Sequence, residues 1–358
     1  MDTIKNVKTK RSSAFEFMRL LAMYMIVFEH CLLATAFDSV EPLSAADNII
    51  WLLEAFTICA VNLFFLLTGY FMNARSFRVK KWLGIWGKTV FYSAGIYLAA
   101  VLLGAEAFEI KEFINYCCPV MMKSYWFMQT FIVLSFLLPY LAVMLDHIAE
   151  KQHALLCGML LIFFCLHQTF IPVAQTLDNS QGYGIVWAVV LCVVGSFLKR
   201  HGGKYIQKIP AIIYFAGYIV IAVGIFITNV LIVKFDIAGG ITSRGNFYAY
   251  NSVSVFLESV CLFCFFVRLS ERNFCSRQIN WLSGSALAVY LIGSHPLLLT
   301  GIWTRIVPMP DISTDLGAYL LVAMVLSTLI VMGCILTDKL IFSLVEKKSI
   351  KWERKVYL

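Results

Sequence analysis

Ten apolar stretches, each about as long as a lipid bilayer is thick, dominate this sequence. A membrane-spanning helix needs about 20 mostly apolar residues to cross a hydrocarbon layer of about 30 Å. Of the 358 residues, 60% are hydrophobic and only 14% are charged, whereas soluble domains carry about 25% charged residues. The sequence therefore predicts an all-α, polytopic integral membrane protein. The predicted spans are 13–37, 49–72, 82–104, 125–145, 153–172, 184–198, 209–233, 248–267, 281–303 and 315–337.

Lysine and arginine residues are distributed unevenly between successive loops. The two tails and the second, fourth, sixth and eighth loops contain 22 of them, and the remaining loops contain five. Because basic loops stay in the cytoplasm, both termini are predicted to be cytoplasmic. We predict one membrane domain over 1–358, with basic cytoplasmic tails at 1–12 and 339–358. The lipid bilayer is the expected partner, and no segment outside the spans is long enough to bind nucleic acid.

The first span carries four ionisable residues at membrane depth: Glu16, Arg19, Glu29 and His30. Such groups are costly among lipid tails and normally face a protein interior or a wet cavity. Arg19 and His30 are 11 residues apart, so an α-helix places them on one face, about 16 Å apart along its axis. Glu16 shares that face. The alternative interpretation is that Glu16 and Arg19 reach towards the membrane surface and that His30 is simply packed.

Other polar residues in or beside the predicted spans lie at two depths. One group is in the outer half of the bilayer near His30, and the other is near the cytoplasm with Arg19. Two such zones, joined by one helix face, indicate a reaction chamber or a permeation path. No metal site is expected, since the one C-x-x-C pair lies within a span and has no second pair. The outer zone contains Trp126, Gln129, Asn251, Glu258 and His295. The inner zone contains Arg78, Lys80, Lys81 and Lys88.

His295 has two interpretations from the sequence alone. It lies at about the same depth as His30 and could take part in chemistry. The following Pro296 is expected to kink the helix, however, and the imidazole could merely bind carbonyl groups that the kink frees.

These motifs, in this order along the chain, resemble the bacterial membrane acyltransferase family often called acyltransferase family three. The blocks NLFFLLTGYFM, FRVKKWLGIW, YWFMQTFIVLSFLLPYL, YNSVSVFLESVCLFCFF and AVYLIGSHPLLL follow the family's pattern over about residues 11–303. Thr68 and Tyr70 replace the family's usual Ser and Phe. Gly293 stands where the family often has a histidine, so His295 is at most a shifted substitute. The motif that opens the family is matched by Arg11, Glu16, Arg19 and His30.

The resemblance implies transfer of an acyl group, expected to be acetyl, from cytoplasmic acetyl-CoA to a hydroxyl of a cell-surface or lipid-linked glycan at the bacterial cell membrane. His30 suits the role of base that a hydroxyl nucleophile requires. Arg19 keeps its charge and suits a phosphate or a polarised carbonyl. The catalytic candidates are His30, Arg19, Glu258 and His295. The donor-binding candidates are Arg19, Arg78, Lys80, Lys81 and Lys88. The acceptor-binding candidates are Glu16, Trp126, Gln129 and Asn251.

Two other classes of protein also place polar residues near the bilayer midplane. A secondary transporter or lipid flippase would use them for passage, and a sensory or regulatory membrane protein would use them for binding alone. Transporters are commonly built from internal repeats with paired, interrupted spans. Because the sequence shows neither feature, it favours the enzyme.

Overall fold

A computed structural model describes residues 12–37, 39–73, 79–122, 125–170, 180–237, 246–272, 275–301, 303 and 309–356. Throughout these residues the regular structure is helical, without a β-strand. Nine helical segments within them are long and apolar enough to cross a membrane. The prediction of an all-α polytopic membrane protein is confirmed. The nine segments are Ser13–Thr35, Ala45–Phe71, Trp82–Leu102, Trp126–Asp146, Glu150–Phe170, Ile185–Ile206, Ala211–Lys234, Asn246–Ser270 and Leu316–Phe342.

Several spans contain more than one helix, because a turn or a wide helical turn interrupts them. The second span has a turn between the helices Ala45–Thr57 and Ala60–Phe71. In the fifth and sixth spans, π-helical turns interrupt the helix at Ile162–Leu166 and Leu198–Gly202. The helices are α1 Ser13–Thr35, α2 Ala45–Thr57, α3 Ala60–Phe71, α4 Val79–Leu102, α5 Ile110–Cys117, α6 Trp126–Asp146, α7 Glu150–Leu161, α8 His167–Phe170, α9 Ile185–Phe197, α10 Gly203–Ile206, α11 Ala211–Lys234, α12 Val253–Ser270, α13 Arg277–Ser283, α14 Ala286–Gly293, α15 Pro296–Gly301 and α16 Leu316–Val356.

The predicted ninth span, 281–303, is broken into three short helices, α13, α14 and α15. None of the three has more than 8 residues, so none alone can cross a bilayer. One break follows Ser283 and the other precedes Pro296, which has no N–H to continue a helical hydrogen-bond ladder. The predicted ninth span is therefore not one continuous helix, and the described residues contain nine helical segments that can each cross a membrane, against the ten spans predicted.

This broken segment, 277–301, nevertheless runs alongside α1 and in the same direction. Ser13 Oγ accepts a hydrogen bond from the N–H of Ser276 at 2.7 Å, and Ser283 Oγ donates to the Glu16 carboxylate at 2.6 Å. Further along, Gly293 packs against Val27. If this segment is counted as a tenth crossing besides the nine spans, the number of crossings is even, and both termini lie on the same side of the membrane. Their cytoplasmic location stays a prediction based on the basic residues.

Helices α3 and α9 cross with their backbones in contact. A Cβ atom at Gly69 would lie 2.2 Å from the carbonyl oxygen of Cys192, and a Cβ atom at Gly195 would lie 2.2 Å from that of Leu66. In lipid, where no hydrophobic effect drives helices together, such close approach of small residues provides the packing energy. The crossing therefore fixes α3, the helix that positions part of the candidate site, against α9.

The last helix, α16, continues without interruption from Leu316 to Val356. At about 1.5 Å per residue it is about 60 Å long, twice the thickness of the hydrocarbon layer. The predicted C-terminal tail, 339–358, therefore begins inside this helix rather than after it.

Candidate functional site

His30 faces a small cavity inside the helix bundle. The walls of this cavity come from α1, α3, α6, α14 and the turn before α12. It offers about 30 Å³ of space, which is room for about two water molecules. The lining residues are Met23, Ile26, Glu29, His30, Val61, Trp126, Phe127, Tyr250 and Tyr290.

The imidazole of His30 is half-buried. Its Nδ1 atom is buried and has no hydrogen-bond partner within the described residues. A base that removes a proton from a substrate needs a ring nitrogen that the protein itself does not occupy. His30 meets that requirement.

Aromatic rings form one wall of the cavity, and a buried asparagine holds this wall in place. The ring of Trp126 stacks on Tyr250, with centroids 5.9 Å apart, and contacts Tyr183 edge-on at 4.6 Å. Asn62 on α3 donates to the carbonyl oxygen of Tyr250 at 2.8 Å and accepts from the indole N–H of Trp187 at 3.0 Å. The position of Tyr250 at the cavity is therefore coupled to α3 and α9.

Three glutamates are buried close to this cavity: Glu29, Glu54 and Glu258, with exposed fractions of 6%, 6% and 0%. Glu54 interacts electrostatically with both of the others, and the thiol of Cys59 is a polar neighbour of Glu258. In the described part of the chain, none of the three forms an ion pair with lysine or arginine. Buried, unpaired ionisable groups at membrane depth are candidates for function.

Of these three glutamates, only Glu258 was predicted from the sequence to belong to the site. Glu29 lines the cavity beside His30. The sequence feature that could have indicated this position is an acidic residue inside an apolar span. Glu54 shows the same feature in the second span. That these acids meet depends on how the spans pack side by side, which the periodicity of one span does not show.

Arg19, near the N-terminal end of α1, forms an ion pair with Glu16. Its Nη1 donates to Glu16 Oε1 at 2.8 Å, and the hydroxyl of Ser283 donates to the other oxygen of that carboxylate. The guanidinium side chain is 32% exposed, and Arg19 is not among the described residues that line the cavity at His30. The structure thus pairs Arg19 with Glu16, and a chamber or permeation path that joins the levels of Arg19 and His30 stays a prediction.

His295 is fully buried, and both of its ring nitrogens are occupied by backbone groups. The N–H of Leu297 donates to Nδ1 at 3.2 Å, which leaves Nε2 as the donor to the carbonyl oxygen of Ser93 at 3.1 Å. The ring also stacks on Tyr116 with centroids 5.1 Å apart. These contacts give His295 a structural role, since they attach the broken segment to α4 at the start of α15.

The remaining predicted residues are dispersed. Asn251 is buried, and its Nδ2 has no partner within the described residues, whereas Gln129 is half-buried on α6. Lys88 forms an ion pair with Asp338 at 2.7 Å, so its charge is already compensated. Arg78 lies outside the described residues. Lys80 and Lys81 lie in the first turn of α4, and their side chains are also outside the description.

A family model described as an acyltransferase domain matches residues 12–337 of this chain. The chain belongs to the acyltransferase 3 family. The family match confirms the resemblance shown by the sequence motifs, and it makes the protein a membrane acyltransferase. Comparison of the chain with curated proteins and with solved structures gives no match.

Proposed function

We propose that this acyltransferase 3 family member moves an acyl group, expected to be acetyl, from cytoplasmic acyl-coenzyme A to a hydroxyl of a cell-surface or lipid-linked glycan in the bacterial cell membrane. The observation that carries the proposal is His30, whose Nδ1 has no protein partner, beside a cavity that Glu29, Trp126 and Tyr250 also line. Family membership supplies the class of reaction.

In the proposed reaction, His30 accepts the proton of the acceptor hydroxyl as its oxygen attacks the thioester carbon. The new C–O bond forms, the C–S bond breaks, and His30 passes the proton to the departing thiolate. No proton is gained or lost overall, so the reaction needs no co-reactant beyond donor and acceptor. On this proposal the cavity encloses the thioester carbon, and Trp126, Gln129, Asn251 and Glu258 surround the acceptor.

The donor is proposed to approach from the cytoplasmic end of α1. Coenzyme A is strongly anionic, and clustered basic residues raise the local concentration of an anionic ligand. Arg78, Lys80 and Lys81 precede or begin α4 and would attract the nucleotide phosphates. Arg19, held in place by Glu16, would bind the phosphate or pantetheine portion of the donor.

Sealed vesicles of known orientation, loaded with acceptor, test the proposal. Acetyl-CoA labelled in its acetyl group should be consumed when it is supplied on the face that carries the chain termini, and the label should appear on the acceptor. Consumption from the opposite face alone would overturn the arrangement. Transport of donor or acceptor without thioester cleavage would instead identify a transporter.

Replacing Arg19 with lysine is expected to lower kcat/KM for acetyl-CoA by about 10- to 100-fold, the usual value of a charge-assisted hydrogen bond. An arginine can donate to Glu16 and still present further N–H groups to the donor, whereas a single ammonium cannot do both in the same geometry. Steady-state kinetics with varied donor measure the effect. The control is Arg272→Lys at an exposed site, and equal kinetics for Arg19→Lys and wild type would contradict the role of Arg19.

A further inference from the structure

A wide groove lies between α4, α13 and α16, on the same end of the bundle as the start of α1. It consists of two adjoining hollows of about 640 Å³ and about 510 Å³. Trp281 lines both hollows, and neither shares a lining residue with the cavity at His30. A ligand in this groove would therefore lie apart from the proposed reaction centre.

The groove has an excess of positive charge. Lys88, Lys339 and Arg277 line it together with one carboxylate, that of Asp338. Asp338 pairs with Lys88, whereas Lys339 and Arg277 form no ion pair within the described residues. The amine of Lys339 lies over the ring of Trp281, 5.1 Å from its centroid. Two positive charges are thus left for an anionic ligand.

Apart from Gln278, the rest of the groove is apolar, and it is open on the side that faces away from the helix bundle. Leu336, Leu340 and Trp281 are 49%, 65% and 48% exposed. In a membrane protein, such residues on the outside of a helix bundle face lipid, and tryptophan is enriched at the membrane surface. The ligand that matches this surface combines an anionic head group with hydrocarbon chains.

We propose that this groove binds an anionic phospholipid of the cytoplasmic leaflet, with its phosphate held by Lys339 and Arg277 and an acyl chain lying along Leu336 and Leu340. Basic pockets between helices on the cytoplasmic side are a recognised mode of lipid head-group binding. Coenzyme A offers the same phosphate chemistry, but neither hollow shares a described lining residue with the cavity at His30. Lipid is therefore the occupant that the apolar wall favours.

Quenching of tryptophan fluorescence by brominated lipids tests the proposal on the full-length protein. The difference in signal between wild type and Trp281→Phe isolates Trp281. In vesicles of phosphatidylcholine, dibrominated phosphatidylglycerol should quench Trp281 at roughly tenfold lower mole fraction than dibrominated phosphatidylcholine, because two basic residues attract the anionic head group. The double substitution Lys339→Gln and Arg277→Gln should abolish that preference.

The double substitution Lys208→Gln and Arg272→Gln is the matched control, because it removes the same charge from exposed positions outside the groove. It should leave the preference intact. Equal quenching by both lipids in the wild type, or equal loss of the preference in the control, would overturn the proposal. Relief of phosphatidylglycerol quenching by added coenzyme A would assign the groove to the donor instead. Circular dichroism establishes that each variant is folded.

Discussion

Replacing His30 with glutamine is expected to reduce acyl transfer by about 10²- to 10⁴-fold, the usual contribution of a general base. Glutamine keeps a similar size and polarity but cannot accept a proton from a hydroxyl. The loss should therefore appear in kcat, while binding of acetyl-CoA is retained. Since Nδ1 of His30 has no hydrogen-bond partner within the described residues, the substitution breaks no bond at that atom and should leave the fold intact.

The matched control is His147→Gln. His147 is exposed at the end of α6, where its Nδ1 contacts the carbonyl oxygen of Val143 at 2.7 Å. Because it does not line the cavity at His30, replacing its imidazole should leave acyl transfer unchanged. Single-turnover measurements of thioester cleavage separate the chemical step from product release. Near-normal cleavage by the folded His30→Gln variant would place the base elsewhere, and Glu29 would be the next residue to substitute.

The second large effect is expected on stability, from Gly195→Ala. The added methyl group would lie 2.2 Å from the carbonyl oxygen of Leu66 and 3.0 Å from the backbone nitrogen of Tyr70. Because backbone atoms cannot rotate away as a side chain can, α3 and α9 must separate. Overpacking of this kind costs about 1–3 kcal/mol, and more where the backbone must move. Thermal unfolding in detergent should show a clear fall in the midpoint temperature.

Gly224→Ala is the control for this substitution. Gly224 is also within a membrane span, on α11, and a Cβ atom there meets nothing within 4 Å. Alanine favours a helix by about 1 kcal/mol over glycine, so this variant should be as stable as wild type or slightly more stable. If Gly195→Ala and Gly224→Ala unfolded at the same temperature, the close contact between α3 and α9 would be contradicted.

The membrane fold could be predicted from the sequence because each span carries its own signal. Apolar length alone identifies the nine spans that are long enough to cross a membrane, and no knowledge of neighbouring helices is needed. The ninth predicted span failed because window hydropathy does not detect a break. Pro296 indicated one interruption. The other follows Ser283, next to residues whose contacts with α1 the hydropathy of one segment cannot show.

The candidate site could be predicted only in part, for a related reason. Helical periodicity and depth indicated that His30 and Trp126 lie at similar levels, and both line the cavity. Periodicity describes one helix at a time, however, and it contains no information on which faces meet. Glu29 and Glu54 were therefore missed, and the pairing of Lys88 with Asp338, residues 250 positions apart, could not be foreseen.

The backbone contact between α3 and α9 bears on which wall of the cavity at His30 can move. Under the proposed function the cavity must admit a thioester, which is much larger than the two water molecules for which it has room, so its walls would have to move apart. Val61 is on α3, which Gly69 and Gly195 hold against α9, and Tyr250 is tied to α3 through Asn62. Tyr290, by contrast, is on α14, in the broken segment whose helical hydrogen bonds are interrupted on both sides. Under the proposed function, we therefore expect the wall formed by the interrupted helix, rather than the wall held by α3 and α9, to move when substrate binds.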